Sequence, residues 1–193
     1  MPDTEQQLLS WIEELRQYRL PRWEELPDIE LYMDQVITLI ERYLSPLVGQ
    51  SDNKVITSAM INNYVKLNIM PKPNKKKYER IHLSHLIVIT ILKQILLIPE
   101  IKEGIFLQTE LDGMRIAYDS FCQELEEALH AMIEKYQCWS TGKLPEPAEQ
   151  IPLERLGLQM ACTSFVSKIF TQKIIVLHSQ AHQHTDSTEK KVQ

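Results

Sequence analysis

Five cations fall within nine residues of the chain: Lys72, Lys75, Lys76, Lys77 and Arg80, opposed only by Glu79. Just before them, Ser58, Asn62, Asn63, Tyr64 and Lys66 are spaced as on a short polar helix. These types suit contact with a polyanion. Lysine, arginine, hydroxyl and phenol groups reach phosphate oxygens, and an asparagine amide can pair bidentately with adenine in a major groove. Thr57 completes the set as an N-cap, because its hydroxyl can accept from an orphan backbone N–H. The expected division is grip by the cations and readout by Asn62 or Asn63.

Other constellations carry less. His178, His182 and His184 have metal-like spacing, but no carboxylate or cysteine stands in register, and no metal site is assigned. His82 and His85 are expected on the surface or in the wing. Cys122, Cys138 and Cys162 are odd in number and lack ligand spacing, which suits core positions in a reducing cytosol. Glu124, Glu126 and Glu127 suggest a solvated helix face. No phosphate loop, nucleophile elbow or paired-histidine motif occurs, so neither an enzyme nor a cofactor is implied.

The charge distribution frames the basic segment. The chain has 193 residues and a net charge of −5. Residues 1–50 are net −6, residues 51–100 net +5, and residues 101–193 net −4. Such a protein can confine polyanion contact to one surface. The apolar run from Leu83 to Ile98 contains His85, Lys93 and Gln94, so it predicts a buried helix rather than a membrane span. No membrane contact is expected, and a cytoplasmic location follows.

Helical periodicity supplies the elements that must hold the segment. Helices are predicted near 4–18 (Leu8, Ile12, Leu15) and 29–44 (Met33, Val36, Ile37, Ile40, Leu44), with Pro46 and Gly49 closing the second. Pro21 and Pro27 frame an extended connector holding Trp23. Asn68 suits the left-handed residue that ends the helix at 58–67, and Asn74 to Lys77 suggests a hairpin tip. Leu111, Met114, Tyr118, Phe121, Leu125, Ala128 and Met132 follow a 3-4 heptad pattern, which suits either the core face of a helix within one chain or, as the preferred reading, a helix pairing with a copy of itself. A helix over 153–177 is apolar nearly all round. The expected units are residues 1–104, a C-terminal helical dimerisation or effector region over 105–179, and a disordered tail over 180–193.

The stretch from Ile56 to Pro71 resembles the recognition segment of MerR-like regulators, which run from a Ser/Thr cap through a tyrosine-bearing helix to a Gly-Leu-Leu-Pro exit. Asn68 to Pro71 matches the exit turn, and Lys76 and Tyr78 fall on wing positions. More closely, Trp23 to Ile101 is similar to an uncharacterised bacterial family of unknown function thought to carry a MerR-like DNA-binding domain. Two departures stand out: the usual first helix, Ile-Gly-x-Leu-Ala, is absent, and Lys75 replaces the wing's first tyrosine. The resemblance implies an all-α helical bundle containing a winged helix-turn-helix with at most a small two-stranded wing. It also implies double-stranded DNA as partner and a homodimer. Two other readings stay open. One is an adaptor that keeps the fold without binding DNA. The other is a sensor enclosing a small-molecule effector among helices 83–98, 111–136 and 153–177.

Overall fold

Among the described residues the chain forms six α-helices: α1 (Pro2–Arg16), α2 (Met33–Val48), α3 (Ser58–Lys66), α4 (Arg80–Leu92), α5 (Ile98–Thr141) and α6 (Leu153–Glu189). The computed structural model describes residues 2–48, 54–141 and 153–189. Among them there is no strand, only two isolated antiparallel bridges, so the protein is all-α. Among the described residues no helix is long and apolar enough to cross a membrane.

The core is organised on α4. Every residue from His82 to Leu92 is buried, because α2, α5 and α6 all pack against this short apolar helix. The amphipathic stripe of α2 places Val36, Ile40, Leu44 and Leu47 in the same core. Pro46 does not close α2 as expected. It sits in the last turn, and the helix continues to Val48. Helix α1 lies against α5 and α6, with Trp11 edge-on to Phe170 at 4.9 Å.

The connector between α1 and α2 is stitched to α5. Tyr118 donates to the Pro21 carbonyl at 2.8 Å, and the Trp23 amide donates to Asp119 at 2.7 Å. Arg22 and Glu126 pair at 2.5 Å. Glu126 is therefore partly enclosed and Glu124 is buried, so only Glu127 keeps the solvated position expected for all three.

Helix α5 corrects the heptad reading. Gly113 has φ 75° and ψ 162°, which breaks the helix into two parts that meet at a kink. A Cβ at Gly113 would meet nothing within 4 Å, so the requirement there is conformational rather than steric. The kink throws Leu111 off the stripe, 63% exposed, and leaves Met114 half-buried. Beyond it, Tyr118, Phe121, Leu125 and Ala128 are buried within the one chain, and Met132 is half-buried. Those four buried side chains are covered in cis and belong to the core of the one chain. The boundary expected at 104/105 also falls inside α5. Helix α6 continues to Glu189, into the stretch expected to be a disordered tail; residues 190–193 lie outside the described residues.

Candidate nucleic-acid interface

Helix α3 is bounded as its sequence dictates. The Thr57 hydroxyl accepts from the Met60 amide at 3.3 Å, capping the start. At the other end Asn68 has φ 53°, the Ile69 amide bonds Tyr64 O at 3.1 Å, and the Asn68 amide bonds Val65 O at 3.1 Å. That pair of bonds is a Schellman closure. The short helix is held by Ile61 and Tyr64, both buried. Ala59, Asn62, Asn63 and Lys66, at i, i+3, i+4 and i+7, form an exposed stripe on the opposite side, and Ser58 is exposed beside it. Tyr64 is corrected here. Its ring packs in the core and burial raises its pKa, so it anchors α3 rather than joining the exposed stripe.

The connection from α2 to α3, residues 49–57, is longer than the three or four residues of a simple helix-turn-helix. Its residues 49–53 lie outside the described residues.

The expected wing is one tight turn. The Lys77 amide donates to Asn74 O at 2.8 Å, and Lys75 and Lys76 have φ 46° and 64°. Two consecutive left-handed residues make a hairpin-type turn that Asn-Gly would fill at lower cost. Tyr78 anchors the far side. It exchanges both backbone bonds with Leu31 at 2.8 Å, and its buried ring meets His82 edge-on at 5.5 Å. His82 and His85 are not surface residues. The Glu79 amide donates to Nδ1 of His82 at 2.9 Å, which caps α4, and His85 Nδ1 lies 2.7 Å from Ile81 O. Burial lowers both imidazole pKa values.

The five cations divide. Lys77 pairs with Glu30 at 2.5 Å; Arg80 pairs with Glu24 at 2.9 Å and lies 3.7 Å from Asp28. Glu24 also binds Arg115 of α5 at 3.0 Å, so the acidic connector draws part of the basic segment back. Lys72, Lys75 and Lys76 are exposed, and no ion pair engages them among the described residues. Within α3 and the basic segment, the cations open to an external anion are these three and Lys66.

The profile of a family described as a domain of unknown function (DUF1836) matches residues 21–121. That is just over half of the chain. The chain belongs to this DUF1836 family. The matched region takes in the connector, α2, α3, the tight turn, α4 and α5 past its kink, while α1 and α6 lie outside it. No curated protein and no solved structure matches the chain.

One cluster escaped sequence reasoning. A cavity of about 760 Å³ lies between α1, the end of α2, residues 54–60, the end of α4 and α6, with Lys54, Lys93, Lys168 and Lys173 among its lining. It is not the pocket expected among helices 83–98, 111–136 and 153–177, since α5 contributes nothing to it. The one sequence signal was Lys93, a cation interrupting an apolar run. Cys122 and Cys162 are buried, as expected, and burial pushes each thiol up to about 12. Cys138 is part-exposed. The side chains of His178, His182 and His184 lie outside the described residues.

Proposed function

We propose that this DUF1836 protein is a non-enzymatic, cytoplasmic DNA-binding regulator of MerR-like type. Helix α3 enters the major groove of double-stranded DNA, and Lys72, Lys75 and Lys76 grip the flanking phosphates. The tight turn carries the reading. Two lysines occupy consecutive left-handed positions at an exposed tip, where each costs conformational energy that glycine or asparagine would avoid. Backbone strain of this kind concentrates at sites of contact and switching. The exposed stripe of Ala59, Asn62, Asn63 and Lys66 supplies the surface to be read. An α-helix is about 10–12 Å across with its side chains, which suits a groove about 12 Å wide. Titration of the purified protein against random duplexes at low salt tests the proposal. Binding that weakens steeply with salt supports it, and absence of binding by folded protein refutes it.

The adaptor reading has its own support in Lys77 and Arg80, which bind acids of the same chain. The homodimer contact falls on the exposed part of α5 around the kink, which takes in Leu111 but not the buried stretch from Tyr118 to Ala128. Phe106, Leu107, Leu111 and Ile116 are all more than half exposed around the Gly113 kink. Leu107 and Leu111, four apart, share a face of the first part of α5. Sedimentation of wild type beside Leu107→Asp and Leu111→Asp tests this surface. A wild-type monomer at high concentration removes the dimer from the proposal.

A further inference from the structure

The half-buried cations of this protein are treated in two ways. Arg22 and Arg80, both largely enclosed, are paired with the carboxylates of Glu126 and Glu24. Lys93 and Lys168, also partly enclosed, are not. The Lys93 ammonium donates to the Val55 carbonyl at 2.8 Å and lies 3.6 Å from the Met60 sulfur. The Lys168 ammonium donates to Gln94 O at 2.8 Å and Gln94 Oε1 at 3.3 Å. Neither meets a carboxylate among the described residues. Both line the 760 Å³ cavity, as do Lys54 and Lys173, and among the described residues no acidic side chain does.

Removing an ammonium from water without an opposite charge is costly, and like charges brought together add to the cost. Burial accordingly lowers the pKa of Lys93. A third group is also unsatisfied. Trp11 lines the same cavity and is 6% exposed, and its buried indole N–H has no acceptor among the described residues. Indole nitrogen is a donor only, so what it lacks is an acceptor. The remaining wall is largely apolar, including Leu47, Val55, Phe165, Ile169 and Val176. The size falls within the range of sites for small organic ligands.

We infer that this cavity binds an amphipathic anion, a carboxylate or phosphate carried on an apolar body. The headgroup takes the Lys93 and Lys168 ammoniums, and the body lies against the apolar wall beside Trp11. Lys93 belongs to the region matched by the family profile, whereas Trp11 and Lys168 do not, so α1 and α6 complete the site. The inference does not depend on DNA binding. It does place the ligand at the start of α3, because Lys93 holds Val55, two residues before the Thr57 cap, and touches Met60 in the first turn.

The test uses the full chain and four twelve-carbon probes below their micelle concentrations: dodecanoate, dodecyl phosphate, dodecanol and dodecylammonium. Binding is followed by calorimetry and by Trp11 fluorescence, with Trp11→Phe assigning the signal. The two anions are expected to bind saturably and at least about tenfold more tightly than the alcohol or the ammonium, the scale of one charge-assisted hydrogen bond. Whichever anion binds more tightly identifies the headgroup. Lys93→Met and Lys168→Met are each expected to weaken anion binding by roughly tenfold while leaving dodecanol unchanged. The headgroup series on wild type stands even if a variant fails to fold. Equal affinity for all four headgroups, no saturable binding, or binding that leaves Trp11 fluorescence unchanged overturns the inference.

Discussion

The tight turn at Asn74–Lys77 sets stability against affinity, and the double change Lys75→Asn with Lys76→Gly separates them. A left-handed conformation costs a side chain with a Cβ roughly 1–2 kcal/mol relative to glycine. Lys75 and Lys76 both bear it, at φ 46° and 64°. Glycine returns about 0.5–1 kcal/mol of that through greater freedom in the unfolded chain, and asparagine tolerates the left-handed region better than lysine. The net expectation is a gain of about 1–2 kcal/mol, or roughly 2–8 °C in melting temperature at this chain length. Both side chains are exposed and without ion pairs among the described residues, so no contact is lost to offset the gain. If the two ammoniums hold phosphates, the same variant loses DNA affinity. The slope of log K against log[salt] falls by about 0.9 per lost contact. Urea or thermal unfolding measures the first quantity, and fluorescence anisotropy on a labelled duplex over a salt series measures the second. A variant no more stable than wild type would refute the strain argument. A more stable variant with unchanged affinity and slope would remove the turn from the interface.

Three further outcomes are expected. Leu125→Asp, at a position with no exposed surface, buries an unpaired carboxylate and should cost about 3–5 kcal/mol in urea unfolding; a folded monomer of near wild-type stability would contradict its place in the core. His82 and His85 are held neutral by burial, so their folded pKa values lie below the unfolded value of 6.5 and the unfolded chain binds more protons in acid. Stability is therefore full above that value and is lost as pH falls through the lowered folded values, and the urea midpoint should drop between pH 7.5 and 5.5, a window above most carboxylate titration. Asn62→Ala or Asn63→Ala should flatten sequence preference by about 1–3 kcal/mol if that amide makes a bidentate base contact, with little effect on the salt slope. A selection from random duplexes reads that preference directly.

Legibility followed the range of the interaction. The cap at Thr57, the left-handed Asn68, the tip at Asn74–Lys77 and the buried helix after Leu83 depend on neighbours within a few residues, and all were readable. Tyr64 was read as a phosphate contact because a phenol can serve either way: it shares a helix face with Ile61, and whether its ring turns inward depends on what lies beneath. The heptads left two readings open because a 3-4 spacing states only that a face is buried, and over Tyr118 to Ala128 the covering surface belongs to the same chain. Gly113 was the sign that Leu111 leaves the stripe. His82 and His85 were placed outside because histidine is polar, yet α4 is packed from several sides and has no outer face over that stretch. The cavity was beyond reach, since Trp11, Lys93 and Lys168 are brought together only when α1 and α6 close over the family region.

The connector also bears on how many phosphates one chain can hold. Five cations were legible in the basic segment, but charge counted along a sequence ignores where the opposite charges fold. Glu30 takes Lys77, and Glu24 takes Arg80, which leaves Lys66, Lys72, Lys75 and Lys76 from α3 and the turn. If each met one phosphate, the salt slope would be about 3.6 per chain. A steeper slope requires Lys77 or Arg80 to leave its acid, and the exposed Lys77–Glu30 pair is weak enough for a phosphate to compete. Glu30→Gln decides between the cases. With Lys77 released, affinity and slope should both rise if Lys77 lies within reach of the duplex, the slope by about 0.9. No change in either would mean that Lys77 points away from the DNA, and that Glu30 fastens the connector to the turn rather than restraining binding.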